Sequence, residues 1–171
     1  LVGGIAGTLM TNLALEHAFK TASINFSRAK VGDRYVHEML VENGWQLGGE
    51  NSGHILCLDK HTSGDGIIAA LQVLAALKAQ KQTLSTVGKA LTLYPQVLIN
   101  VPVKQRIDMN ANPAIQASVK AAEQALNGTG RILLRASGTE LKLRVMVEGQ
   151  NGELVAKLAK QIADVVAEQA R

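Results

Sequence analysis

The sequence predicts two domains: an α/β layered domain over residues 1–92 and a small α+β domain, an open sheet with two helices, over residues 96–171. Three observations carry this reading. In the first half, short apolar runs alternate with segments of helical spacing, the pattern of strands joined by crossover helices. The second half reads β-α-β-β-α, with two strands flanking a Ser-Gly-Thr turn. Between them Leu93-Tyr94-Pro95 breaks both patterns, and the proline makes the connection a defined pivot.

The elements follow in order. Residues 2–10 are a glycine-punctuated apolar run, expected as a strand. Thr11 or Asn12 can cap the helix that follows, to about Thr21. Residues 24–29 read as a second strand. Gly32-Asp33 then turns into a helix over 34–42, where Tyr35, Val36, Met39 and Leu40 repeat at helical spacing, and Gly44 ends it. Residues 45–47 and 55–58 read as strands around a glycine-rich loop. A polar loop follows, and Ser63 or Asp65 caps a long apolar helix to about Lys78, expected to lie buried in the core. Residues 83–95 are taken as a helix plus connection. Then come a β-prone strand over 97–103, a helix over 113–127 stopped by Gly128, strands over 131–135 and 141–148, and a helix over 153–170.

Composition narrows the function classes. The net charge of +4 is mild, the basic residues are scattered and there is one tryptophan, unlike a nucleic-acid surface. No apolar run reaches the ~20 residues of a membrane span. Cys57 is the only cysteine, so no internal disulfide forms, which fits a reducing cytoplasm. It sits in the apolar run 55–58 and reads as a strand residue, not a nucleophile. His17, His37 and His61 have no acidic or cysteine partners at metal spacing, so no metal site is expected. The chain opens on Leu1 without an initiator Met, which suggests a fragment.

Two loops carry the chemistry. In Gly48-Gly49-Glu50-Asn51-Ser52-Gly53-His54, Glu50 and Ser52 are two apart and share a face if the segment is extended. A carboxylate can accept from adjacent sugar hydroxyls or an ammonium, and Asn51 and Ser52 add polar groups. The alternative is a polar turn between two strands. His54 reads either as a proton shuttle or ligand contact, or as a hydrogen-bonded structural residue at a strand start. In Arg135-Ala136-Ser137-Gly138-Thr139-Glu140, glycine lets consecutive N–H groups curl into an anion-binding nest. Ser137 and Thr139 add hydroxyls. Arg135 can grip phosphate bidentately, and Arg144 on the next strand can approach the same anion. The alternative is a plain hairpin turn with two solvated arginines. Upstream, Lys30 and the Gly32-Asp33 turn can face a substrate or simply start a helix.

These motifs resemble the phosphohexomutase superfamily, in its glucosamine-specific branch, along essentially the whole chain. Such enzymes carry an Arg-x-Ser-Gly-Thr-Glu-Pro phosphate loop in their last domain, followed by an Arg on the next strand; here Leu141 stands where Pro is usual. Their third domain carries Gly-Glu-x-Ser-Gly/Ala against the sugar hydroxyls, and glucosamine-specific members read Gly-Glu-Asn-Ser-Gly-His. Residues 29–36 and Thr62-Ser63-Gly64-Asp65-Gly66 are similar to other third-domain segments. The resemblance implies the third and fourth domains of a four-domain cytoplasmic enzyme. It implies interconversion of glucosamine 6-phosphate and glucosamine 1-phosphate through a phosphoserine and a bisphosphate intermediate, in precursor supply for bacterial cell-wall sugars. The phosphoserine and an Asp-rich Mg²⁺ loop belong to N-terminal domains absent from this sequence, so the chain itself is expected to hold no Mg²⁺ and to be inactive. The partners implied are a glucosamine phosphate, its bisphosphate, those missing domains and, for the parent, a homodimer mate. Phosphomannomutase or phosphoglucomutase specificity, and a non-catalytic sugar-phosphate binding module, remain the alternatives.

Overall fold

Strand β1 (Gly4–Thr8) is an inner strand of a four-stranded sheet, and everything in the first half is arranged around it. The computed structural model describes residues 3–104, 107–137 and 140–170. The chain divides into two units, Leu1–Leu93 and Tyr94–Arg171. In the first, β1 is followed by helix α1 (Leu13–Thr21), strand β2 (Asn25–Ala29), helix α2 (Asp33–Asn43), strand β3 (Leu47–Gly49) and strand β4 (Ile55–Cys57). The sheet order is β2-β1-β3-β4. β1 pairs parallel with both β2 and β3, and β4 returns antiparallel to β3.

Alternation along β1 puts a helix on each face. Ala6 packs with Val36 and Leu40 of α2, together with Ala29 and Leu56. Ile5 and Gly7 face the other way, towards Leu15 and Phe19 of α1 and Phe26, with the two phenyl rings 5.4 Å apart. The chain thus leaves β1 in one direction through α1 and crosses back over it through α2. A strand-order reversal of this kind opens a crevice at the carboxyl ends of the strands.

Local chemistry explains the boundaries. Asn12 caps α1, accepting from Ala14 N, while the Thr11 hydroxyl accepts from Thr8 N at 2.9 Å. Gly44, with φ 64°, closes α2, and Trp45 N donates back to Leu40 O. That folds residues 45 and 46 out of the expected strand, which instead uses Leu47, Gly48 and Gly49. Gly48 lies where a Cβ would meet Val36 Cγ1 at 2.7 Å, Ala6 O at 2.9 Å and Leu40 Cδ1 at 3.0 Å. Gly48→Ala should therefore destabilise the first unit by about 1–3 kcal/mol through overpacking, read as a lowered urea midpoint.

Asp65 caps helix α3 (Gly66–Gln80), accepting from Ile67 N and Ile68 N. The expectation that this helix is a core helix is corrected: Ala69 is its only buried residue. The reason is positional, because within this chain α3 meets mainly β4. The helix expected within 83–95 is likewise only one short turn, α4 (Leu84–Gly88), before an extended connection. Among the described residues no helix is long and apolar enough to cross a membrane.

The second unit is an antiparallel sheet in the order β5-β7-β6, built from β5 (Gln96–Pro102), β6 (Gly130–Ala136) and β7 (Lys142–Gly149). Helices α5 (Pro113–Leu126) and α6 (Gly152–Gln169) cover one face. Asn112 caps α5 ahead of Pro113 at its first turn; its left-handed end is Asn127, φ 43°, one residue before the expected Gly128. Val101, Leu143, Val145 and Val147 meet Ile115, Leu126, Val155, Ile162 and Val166 in the core. The alternate residues occupy the opposite face in cross-strand rows. Gln96, Glu148 and Arg131 form one row, Leu98, Met146 and Leu133 the next, and Asn100, Arg144 and Arg135 the last.

Candidate functional site: three loops and an arginine pair

At the carboxyl edge of the first sheet, β1, β2 and β3 each end in a loop, and side chains tie the three loops together. The Glu50 carboxylate accepts from Gly32 N at 3.1 Å, joining the loop after β3 to the loop after β2. Asn51 Nδ2 donates to Met10 O at 3.1 Å, joining it to the loop after β1. Arg28 holds that last loop from below: its Nη1 donates to Thr8 O and Thr11 O, and its Nη2 pairs with Glu16 at 2.6 Å.

The segment 50–54 is a tight turn and not the extended strand that would put Glu50 and Ser52 on one face. Glu50 N donates to His54 O and Gly53 N to Glu50 O, with Gly53 at φ 99°. The turn forms because the β3–β4 ladder closes at Gly49 and Ile55, leaving five residues to reverse the chain. Glu50 and Ser52 still converge. Ser52 Oγ donates to Glu50 Oε1 at 2.6 Å and lies 2.7 Å from His54 Nδ1. A serine has one hydroxyl proton, and Glu50 receives it. The network therefore assigns the neutral His54 its proton on Nδ1, leaving Nε2 as an acceptor. The half-exposed His54 ring packs beside Gly64. Glu50 itself is largely enclosed, so two of its acceptor positions serve the protein before any ligand.

Lys30 and Asp33 flank Gly32 at the same edge. Lys30 Nζ stands 5.6 Å from the Tyr35 ring centroid, a cation–π arrangement. Asp33 Oδ1 accepts from Arg34 N at the first turn of α2. Gly32, at φ 129°, holds a conformation open to glycine, which brings its N–H to Glu50. Two parts of this edge were not read from sequence: the bond from the Gly32 amide to Glu50 and the Arg28 clamp. An arginine inside a half-buried strand was the available signal for the second.

The second unit holds the other candidate. Arg135 and Arg144 are direct cross-strand partners, so both guanidinium groups stand on the face away from the helices. The Nε of each is buried and has no hydrogen-bond partner among the described residues. Burial, and then the charge of Arg144, hold Arg135 below its ordinary pKa. The nearby acid, Glu140, is engaged by Lys142 Nζ at 2.8 Å. Asn100, opposite Arg144 on β5, completes the row and was missed from sequence, where a polar residue inside an apolar strand was the signal. The buried Ser137 hydroxyl accepts from Glu140 N at 3.3 Å. Gly138 and Thr139, the rest of the expected nest, lie outside the described residues. Two like charges on opposite residues, each with an Nε donor that has no partner among the described residues, have the chemistry that an anion with several acceptor oxygens would satisfy.

Residues 2–94 match the model of phosphoglucomutase/phosphomannomutase alpha/beta/alpha domain III, and residues 98–165 match that of the C-terminal domain. The chain belongs to the phosphoglucomutase/phosphomannomutase family. Within it, the chain is 68% identical to the phosphoglucosamine mutase of Methylobacillus flagellatus, over 99% of its own length and 38% of that protein's. It is 58% identical to that of Thiobacillus denitrificans, over 96% and 36%. The chain thus spans between a third and two fifths of the curated relatives it matches. Solved structures agree in fold. An N-acetylphosphoglucosamine mutase of Aspergillus fumigatus superposes with a TM-score of 0.84 at 21% identity, covering 98% of this chain and 38% of that one. The same fungal enzyme in complex with GlcNAc-6P and magnesium gives 0.80 at 21% identity, over 95% and 41%. Among the described residues no three of His, Cys, Asp and Glu converge as a metal site requires.

Proposed function

We propose that this chain is the substrate-binding part of a phosphoglucosamine mutase that interconverts glucosamine 6-phosphate and glucosamine 1-phosphate through a bisphosphorylated sugar. The observation that carries it is the Arg135–Arg144 pair, two half-buried arginines on opposite residues of β6 and β7 whose buried Nε donors have no partner among the described residues. A phosphate offers acceptor oxygens to both and cancels their repulsion. In this reading Ser137, Gly138 and Thr139 add donors to the same phosphate. At the sheet edge Glu50, Asn51, Ser52 and His54, with Lys30 and Asp33, recognise the sugar. His54 Nε2 accepts from a hydroxyl or ammonium, and Glu50 keeps acceptor positions for a second group. The high identity to phosphoglucosamine mutases favours the amino sugar. The phosphoserine and the Mg²⁺ that the reaction needs come, in this reading, from polypeptide beyond these residues.

The purified 171-residue chain should bind glucosamine 6-phosphate and, more weakly, inorganic phosphate. NMR resonances of the Arg135 and Arg144 Nε–H groups should shift on titration. The same sample, given Mg²⁺ and a sugar bisphosphate, should show no mutase turnover. Turnover by the isolated chain sinks its reading as the binding part. Unmoved arginine resonances at millimolar ligand sink the phosphate site.

A further inference from the structure

Arg28 is a charged residue inside strand β2, and its side chain is only 15% exposed. It stands opposite Gly7 of β1, with its guanidinium 5.3 Å from the Phe26 ring centroid. A Cβ on Gly7 would meet Thr11 Oγ1 at 2.5 Å and the Phe26 ring at 2.8 Å, so the glycine makes room for both. An enclosed guanidinium has to find acceptors. Nε and Nη2 both donate to Glu16 Oε2, at 2.9 Å and 2.6 Å. Nη1 donates to Thr8 O at 3.0 Å and to Thr11 O at 2.5 Å. An acid on α1 thus fixes one edge of the planar group, and the other edge holds two carbonyls of the loop after β1.

That loop is closed around its own polar groups. Thr8 N donates to Thr11 Oγ1, Met10 N to Thr8 Oγ1 at 3.2 Å, and Thr11 N to Thr8 O at 3.0 Å. Leu9 N donates to Ala29 O on β2. The Met10 carbonyl faces the next loop instead, accepting from Asn51 Nδ2 at 3.1 Å. Among the described residues, two side-chain bonds tie the 50–54 turn to the neighbouring loops. Glu50 makes one, to Gly32 N, through a carboxylate that also has to meet a ligand. Asn51 makes the other, and its anchor is only as fixed as the loop that carries Met10. Charge-assisted bonds from one guanidinium hold that loop more firmly than neutral bonds do.

We propose that Arg28 is a positioning residue for sugar recognition: with Glu16 it fixes residues 8–12, and through Met10 O and Asn51 it holds Glu50, Ser52 and His54 in their binding arrangement. The inference rests on the reading of the 50–54 turn as the sugar site. A loop held in place before the ligand arrives loses less conformational freedom on binding. Lysine cannot substitute here, because one ammonium does not span an acid on one side and two carbonyls on the other as a planar fork does.

Hydrogen exchange on the ligand-free chain tests the positioning, and titration tests its consequence. In Arg28→Lys, the Glu50 and Gly53 amides, which close the turn on His54 O and Glu50 O, should exchange about tenfold faster, while amides in the middle of α2 exchange as in the wild type. Glu16→Gln, at a side chain 40% exposed, is the milder variant and should act in the same direction. Glucosamine 6-phosphate should bind Arg28→Lys about three- to tenfold more weakly, whereas inorganic phosphate, read as a ligand of the second unit, should bind as before. Asn51→Ala should cause a similar loss. The double variant should lose little more than either alone, since both changes cut one chain of contacts. Unchanged Glu50 and Gly53 exchange in both Arg28→Lys and Glu16→Gln would overturn the proposal. So would equal loosening of α2, which makes Arg28 a general stabiliser, or fully additive losses with Asn51→Ala. A wild-type chain that fails to bind glucosamine 6-phosphate, together with a loosened turn in Arg28→Lys, sinks the sugar reading and leaves the hold of Arg28 on the turn standing.

Discussion

Replacing Arg135 with Leu should raise the unfolding midpoint of the ligand-free chain while abolishing its stabilisation by phosphate. The two effects have opposite signs because one residue serves two masters. Arg135 and Arg144 face each other across β6 and β7, and like charges directly opposite in a sheet are destabilising by up to about 1 kcal/mol. Titration does not relieve this, since a guanidinium stays protonated at any working pH even when burial lowers its pKa. Leucine removes the repulsion and one orphaned donor. It also removes half of the proposed anion clamp. In the longer mutase proposed above, the same substitution, or Arg135→Ala, should lower kcat/KM roughly 30- to 1,000-fold, about 2–4 kcal/mol, as expected for loss of a charged partner of the substrate. Paired melting curves with and without glucosamine 6-phosphate decide the matter. A variant that melts lower without ligand and still responds to it would show that the two arginines are structural.

Glu148→Ala should be the most damaging single change in the second unit. Glu148 is fully buried on the face of the sheet away from the helices. One carboxylate oxygen pairs with Arg131 Nε and the other accepts from Gln96 Nε2 at 2.8 Å. It thereby links the central strand to both neighbours. Truncation leaves the enclosed Arg131 without its counter-charge, a loss of about 3–5 kcal/mol for a buried pair. The urea midpoint of the second unit should fall accordingly. Glu148→Leu combined with Arg131→Met should recover most of the loss, because replacing both partners with apolar groups leaves no orphaned charge. If Glu148→Ala alone costs less than about 1 kcal/mol, the pair contributes no more than a surface ion pair would.

Much of this protein was legible before any coordinates. Asn12 and Asp65 announce helix starts by side-chain chemistry that needs only local sequence, and each caps a helix. The β-prone run after Pro95 and the segment after the Ser-Gly-Thr turn gave β5 and β7 to within a residue, because branched apolar residues fit a sheet buried on one face. The sugar-type loop and the Arg-x-Ser-Gly-Thr segment were visible as residue sets, because their donors and acceptors lie within a few positions of one another.

Three features were decided only by tertiary structure. The first is the pairing of Arg135 with Arg144: they lie nine positions apart in sequence, and only the register of β6 on β7 makes them opposite partners. The second is the joining of loops, where Glu50 finds the Gly32 amide and Asn51 finds Met10, contacts that exist because parallel strands bring their carboxyl ends to one edge. The third is the placement of α3. Its composition specifies a helix that wants to be buried, and composition carries no information about which surface does the burying. Local chemistry therefore determined the elements and the types of group on offer. Long-range strand register, and the presence or absence of a covering layer, decided which groups meet and which face is left open.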